Sequence, residues 1–200
     1  MHRRSLVLTV LLAALALPLS ASQFIDLPFD QVARESNLIV RGSIVDTWSA
    51  WDDSHEVIYT YATVRVNRYF GETTGPDTLM VREVGGTVDG YTQEAIGFPM
   101  IRTGEDVVLF LAPWEDGSDY RIHAFNQGKY LVRNRGGREV VIPDMERQGD
   151  ARLDHGRDFG VRAQSVEANT PALLLEELST MINDARAGTG RTTDHQTDRQ

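Results

Sequence analysis

"NLIVRGSIVDTWSAWDDSHEVIYTYATVRVNRY", residues 37–69, sets two β-branched runs on either side of a polar tip. Residues 57–69 alternate. Ile58, Ala62, Val64 and Val66 fall on one face with Thr60 among them, and Tyr59, Tyr61, Thr63, Arg65 and Asn67 fall on the other. A period of two is the mark of a half-buried strand. Residues 37–47 read as its partner, and Gly42 at the centre of that run marks a bulge or a tight bend. Between them, Asp52-Asp53-Ser54-His55 reads as a polar hairpin tip.

Outward from this hairpin the pattern repeats. Residues 78–84, 106–112, 120–125, 128–133 and 138–142 read as further strands, with turn chemistry at Gly71–Pro76, Glu115–Asp119, Asn126–Gly128 and Asn134–Gly137. The unbroken apolar run of residues 106–112, DVVLFLA, marks a central strand. Short strands at this spacing, with no helix between them, predict an antiparallel barrel or sandwich. A short helix is expected over residues 26–36, capped by Asp26, with Pro28 in its first turn and Phe29, Val32 and Ala33 on one face. A second is expected over residues 170–187, opened by Thr170-Pro171 and docked through Leu174, Leu178, Met181 and Ile182. Residues 144–169 read as a polar linker or wrapping segment, and 188–200 as a disordered tail.

The first residues run MHRRS, then the fourteen apolar residues LVLTVLLAALALPL, then SAS. This is the pattern of a secretory signal peptide over residues 1–22, too short for the ~20 residues that span a bilayer. The expected location is therefore secreted or periplasmic, with no membrane anchor after cleavage. The chain has no cysteine, so no disulfide can stabilise it there. Its formal charge is −9, and it carries a single lysine, Lys129. Such a balance repels phosphate backbones and argues against a nucleic-acid partner.

Residues 85–104 hold glycines straight after a strand, which raises the question of a phosphate cradle. The segment Gly85-Gly86-Thr87-Val88-Asp89-Gly90-Tyr91 has no lysine, no fitting glycine spacing and no following helix. It reads instead as a long ordered excursion between two strands, and a loop of that length is a candidate binding loop, with its tip at Asp89 to Tyr91. Gly128-Lys129 reads as a hairpin start with a solvated edge charge. The histidines do not pair at ligand spacing, and no Gly-x-Ser-x-Gly elbow occurs, so no metal, cofactor or catalytic residue is assigned. The aromatic residues Trp48, Trp51, Tyr59 and Tyr61 lie on or beside one hairpin. Either the helices cover them as a second small core, or they form an exposed patch of the kind that binds protein or sugar.

The order of these motifs, "NLIVRGSIVDTWSAWD…IYTYATVRVNRYFGE", then "VREVGGTVDGYTQEAIGFPMIRTGEDVVLFL", then "NQGKYLV", resembles a family of exported bacterial proteins of uncharacterised function. The likeness covers residues 28–133, and Phe70-Gly71 departs from it where that family tends to have Lys-Gly. More distantly the chain resembles the barrel of netrin-type domains and tissue inhibitors of metalloproteinases, which implies an OB-like barrel. Those inhibitors chelate zinc through an N-terminal cysteine, a mechanism that a cysteine-free chain does not share.

The expectation is thus a mainly β protein: an OB-like antiparallel barrel within residues 23–143, flanked by a short N-terminal and a C-terminal helix. The expected function is a secreted, non-enzymatic binding module for an extracellular or periplasmic protein, for example a protease. Its candidate binding residues are Trp48, Trp51, Tyr59, Tyr61, Asp89 and Tyr91. The alternatives are a secreted hydrolase using carboxylates near Asp52–His55 or in residues 85–104, with Glu83 and Asp89 as a further pair open to acid/base work, and a structural component of the envelope.

Overall fold

A computed structural model of the chain describes residues 26–71, 73–95, 97–144 and 172–188. The signal-peptide, linker and tail expectations, and the Thr170-Pro171 helix start, fall outside them, apart from single residues at their edges. Ten strands follow a first helix, α1 (Phe29–Glu35), and precede a second, α2 (Leu175–Arg186). The strands are β1 (Leu38–Trp51), β2 (Ile58–Tyr69), β3 (Thr78–Val84), β4 (Gly86–Val88), β5 (Tyr91–Gln93), β6 (Asp106–Pro113), β7 (Tyr120–Ile122), β8 (Lys129–Arg135), β9 (Arg138–Pro143) and β10 (Leu173–Leu174).

The main sheet runs β1-β2-β3-β7-β6-β8-β9-β10, and β1 pairs again with β6. That second pairing closes β1, β2, β3, β7 and β6 into a five-stranded barrel. All its ladders are antiparallel except β3–β7, which is parallel through Val81 and Tyr120. This strand order makes the barrel OB-like, as expected. β1 is long enough to serve both neighbours because it bends. Its register with β2 shifts at Arg41/Gly42 and again at Ile44/Asp46. At Gly42 a Cβ would sit 2.6 Å from the Arg65 carbonyl oxygen, so the close approach of β1 to β2 there admits only glycine.

The apolar run of β6 has a simple cause. Alternate residues point to opposite faces of a strand. Val107, Leu109 and Leu111 face the barrel interior with Val40, Ile44, Val64 and Val81. Val108 and Phe110 face outward into a second core, with Ile39, Phe70, Val141 and the helix residues Val32, Ala33, Leu178 and Ile182. A strand buried on both faces has no polar side to alternate with. Both helices therefore dock on one outer wall of the barrel.

Several boundaries differ from expectation. Helix α1 begins at Phe29, after Pro28, whose extended ψ of 140° keeps it outside the helix while its carbonyl accepts the Gln31 and Val32 amides. Asp26 is not its cap. Helix α2 starts at Leu175, and the Glu177 carboxylate accepts the Leu174 amide at 3.0 Å. Leu178 and Ile182 dock as expected, but Met181 points outward. Strand β7 stops at Ile122 because Ala124 and Phe125 turn into the left-handed region, at φ 58° and 56°, and a short 3-10 helix follows. Residues 85–104 are not all loop: β4 and β5 form a hairpin whose Asp89-Gly90 turn has positive φ at both positions, the geometry that matches strand twist.

Lys129 is the plainest correction. It is not a solvated edge charge; its side chain is wholly buried. Its Nζ donates to Glu105 at 2.7 Å and to the Met100 carbonyl, and pairs with Asp144 at 2.8 Å. A buried ammonium needs such compensation, since desolvation otherwise makes the charge prohibitive. The cluster ties the start of β8 to the end of the 94–105 segment and to the residue after β9.

Candidate binding cleft

The hairpin β1–β2 positions the aromatic residues by register. Trp48 pairs with Tyr61, and Tyr61 with Arg82 on β3; Ala50 pairs with Tyr59, and Tyr59 with Val84. Directly paired residues share a face, so Trp48, Tyr59, Tyr61 and Arg82 stand on one side of the sheet. The rings of Trp48 and Tyr61 stack, 5.4 Å apart and within 9° of parallel. Trp51 pairs with Ile58 and so belongs to the opposite face. There it meets Tyr91 edge-on at 6.1 Å and stacks against His55 at 6.2 Å.

The loop after β6 completes the surface. The Trp114 indole nitrogen donates to the Arg82 carbonyl at 2.8 Å, which fixes its ring against β3 and edge-on to Tyr59 at 5.7 Å. The Arg82 guanidinium lies 4.8 Å from the Trp114 centroid and 5.2 Å from that of Tyr59. It donates to Asp116 at 2.7 Å and stands 3.6 Å from Asp119. The guanidinium thus makes cation–π contacts with two rings that stand edge-on to each other and is flanked by carboxylates. Arg82 and the amide and hydroxyl of Ser118 hold the Asp116 carboxyl down at about 2.

Between these groups opens a cleft of about 380 Å³. Among the described residues it is lined by Tyr59, Tyr61, Trp114 and Arg82, by Trp51 where β1 ends, and by Asp52, Asp53, Glu115 and Asp116. No helix residue among the described residues lines it, so neither α1 nor α2 covers the aromatic residues as a second small core. Trp48 stands beside it, 42 % exposed. The sequence candidates therefore divide. Tyr59 and Tyr61 come together in the cleft with Trp48 beside them, whereas Trp51 borders it from the end of β1 with its ring on the opposite face. Asp89 and Tyr91, at the tip of the β4–β5 hairpin, stand outside it. Arg82, Trp114, Glu115 and Asp116 were missed, because they reach the cleft from β3 and from the β6–β7 loop.

The carboxylates of the hydrolase alternative have other work. Asp52 accepts the Glu56 and Val57 amides and the Ser54 hydroxyl, thus closing its own loop. The Ser54 hydroxyl, with the Val57 amide, lowers its pKa. Glu83 faces inward from β3, 3 % exposed, and accepts the Ile122 amide. It serves the β3–β7 seam, where the parallel ladder has only one pair of residues. Burial pushes its carboxyl up to about 8, against the pull of the Ile122 amide and the charge of Arg121. Asp89 is exposed on its hairpin turn, so the pair Glu83 and Asp89 does not share an environment. Among the described residues no group of three or more His, Asp or Glu side chains is placed to hold a metal ion.

In comparisons with known proteins, no protein-family model matches the chain, and no curated protein matches it significantly.

Proposed function

We propose that the protein is a non-enzymatic binding module, exported from the cytoplasm, that holds a protein partner in the cleft between the β1–β2 tip and the β6–β7 loop. One observation carries this reading: half-exposed tryptophan and tyrosine rings line an open cleft on the outside of β2 and β3. In an OB-type barrel the face of the second and third strands, between the loops that here join β1 to β2 and β6 to β7, is a recurrent ligand surface. That is a fold-level analogy, and the site argument stands beside it. Aromatic rings offer large rigid contact area at small entropic cost, and they anchor protein interfaces. The carboxylate rim argues against a nucleic-acid ligand. The apolar run of residues 6–19 supports export.

The test is capture from the envelope extract and culture supernatant of the source organism by the immobilised mature protein. The Trp48→Ala/Trp51→Ala variant is the control, checked for unchanged folding by circular dichroism. A protein retained by the native chain and lost by the variant supports the reading. Retention of nothing, or equal retention by both, overturns it.

A further inference from the structure

We infer that the cleft takes an arginine-bearing, cationic segment of the partner protein, with a guest guanidinium seated against the aromatic wall beside Asp53 and Glu115. The inference rests on the binding-module reading and adds the chemistry of what is bound.

Arg82 shows what this surface stabilises. Its guanidinium lies against Tyr59 and Trp114 and is closed by Asp116 and Asp119. Among the described residues it is the one cation lining the cleft, against four carboxylates. Asp116 is consumed by it. Asp52 keeps its charge but is engaged with its own loop. Asp53 and Glu115 are exposed at the rim, one on each side, with no ion-pair partner among the described residues. The cleft is therefore left with surplus negative charge next to aromatic faces. A planar guanidinium answers both at once, since it stacks on rings and donates to carboxylates in one plane. A phosphate or an acidic peptide answers neither, and a nucleic acid can stack on the rings but brings phosphates against the carboxylates. The formal charge of −9 adds a long-range attraction for a basic partner.

The experiment uses the mature protein, 15N-labelled, titrated with the capped peptide Gly-Arg-Gly-Arg-Gly and with the same peptide carrying citrulline in place of arginine. Citrulline keeps the shape and loses the charge. The expected result is saturable shifts of the Trp114 indole signal and of the amides of residues 52–53 and 115–116 with the arginine peptide. The citrulline peptide should produce none. The Asp53→Asn/Glu115→Gln variant changes only exposed side chains, so it should fold normally and bind the arginine peptide at least about fivefold more weakly. Raising salt from about 20 mM to about 500 mM should weaken native binding as well.

Equal binding of the citrulline peptide, an unaffected variant, or shifts confined to other surfaces would overturn the inference. So would stronger binding of a neutral oligosaccharide or a glutamate peptide at the same signals. The two readings fail separately. A partner lost by Trp48→Ala/Trp51→Ala but fully kept by Asp53→Asn/Glu115→Gln leaves the module standing and removes the cation.

Discussion

Lys129 and Arg82 are each held by two carboxylates: Lys129 by Glu105 and Asp144 at 2.7 and 2.8 Å, Arg82 by Asp116 and Asp119 at 2.7 and 3.6 Å. Around Lys129 everything is closed. The lysine side chain is 0 % exposed and its carboxylates 11 % and 7 %. Around Arg82 one side is open, because Asp116 is 53 % exposed and the flanking rings border a cleft. The lysine of the buried cluster donates to three oxygens inside the fold and ties the end of the 94–105 segment to the end of the β8–β9 ladder. The open cluster has the same ingredients but leaves aromatic faces and spare carboxylates at the surface. Charge pairing alone thus does not separate the two clusters; access does.

The comparison breaks first at Lys129. Lys129→Met should cost about 3–5 kcal/mol in urea unfolding, because it strands the buried Asp144 without its cation and leaves Glu105 only the longer ion pair with Arg102 at 3.5 Å. The triple change Lys129→Met/Glu105→Gln/Asp144→Asn should recover much of that loss, since the price of the stranded charge disappears. If the single variant keeps native stability, the cluster is not the joint described above.

Glu83 sharpens the contrast from the other side, as a buried carboxyl with no salt bridge among the described residues. Its folded pKa, about 8, lies above the ordinary 4.5. Between those values the folded chain holds a proton that the unfolded chain releases. Stability from this group is therefore full below about pH 4.5 and declines as pH rises towards 8. The slope is at most about 1.4 kcal/mol per pH unit. Glu83→Gln keeps an acceptor for the Ile122 amide and removes the titration. Unfolding free energies measured across this window should fall with pH in the native chain and run flatter in the variant. Parallel curves would mean that Glu83 is ionised in the fold.

These two groups also mark where sequence reading stops. The barrel strands were legible because burial writes itself into periodicity: β2 alternates, and β6, buried on both faces, does not. The aromatic hairpin was legible because its rings are near neighbours in the chain. The Asp89-Gly90 turn, flanked by Val88 and Tyr91, carried a hairpin signal that the glycine-rich surroundings masked. Lys129 was not legible, since its partners come from the end of a long excursion and from the end of β9. Nothing local distinguishes a lysine about to be buried from one at a solvated edge. Arg82 and Trp114 join the cleft through sheet register and a loop after a distant strand, and pairing across a barrel leaves no mark in local spacing. Glu83 looked like a candidate acid because residue type is visible in a sequence and burial of a single polar group is not.

At the open cluster the effects should be smaller. Arg82→Met should cost about 1–2 kcal/mol, since it removes a partly exposed cation–π contact and ion pairs that water already weakens. Trp48→Ala should cost less, about 0.5–1.5 kcal/mol, which is the worth of its stacking on Tyr61. A loss at Arg82 equal to that at Lys129 would make both clusters structural joints and would remove the distinction drawn from access.

The finest test reads a proton in place of stability. Asp116 titrates at about 2 in the native chain, and its main cause is the hydrogen bond from Arg82, with Ser118 second. In Arg82→Met the Ser118 contacts remain and the guanidinium does not. The Asp116 carboxyl should then move up, stopping short of the ordinary 3.8 because Ser118 still favours the charged form. A carbon-13 NMR titration of the side-chain carboxyl follows this directly. In the native chain the same titration tests where the proposed guest arginine sits. If it drew Asp116 away from Arg82, the titration would shift on peptide binding; if it sits beside Asp53 and Glu115, Asp116 should hold its value. The second outcome is expected, because Arg82 is already clamped by two rings and two carboxylates, and a guest gains more from rim carboxylates with no cation of their own.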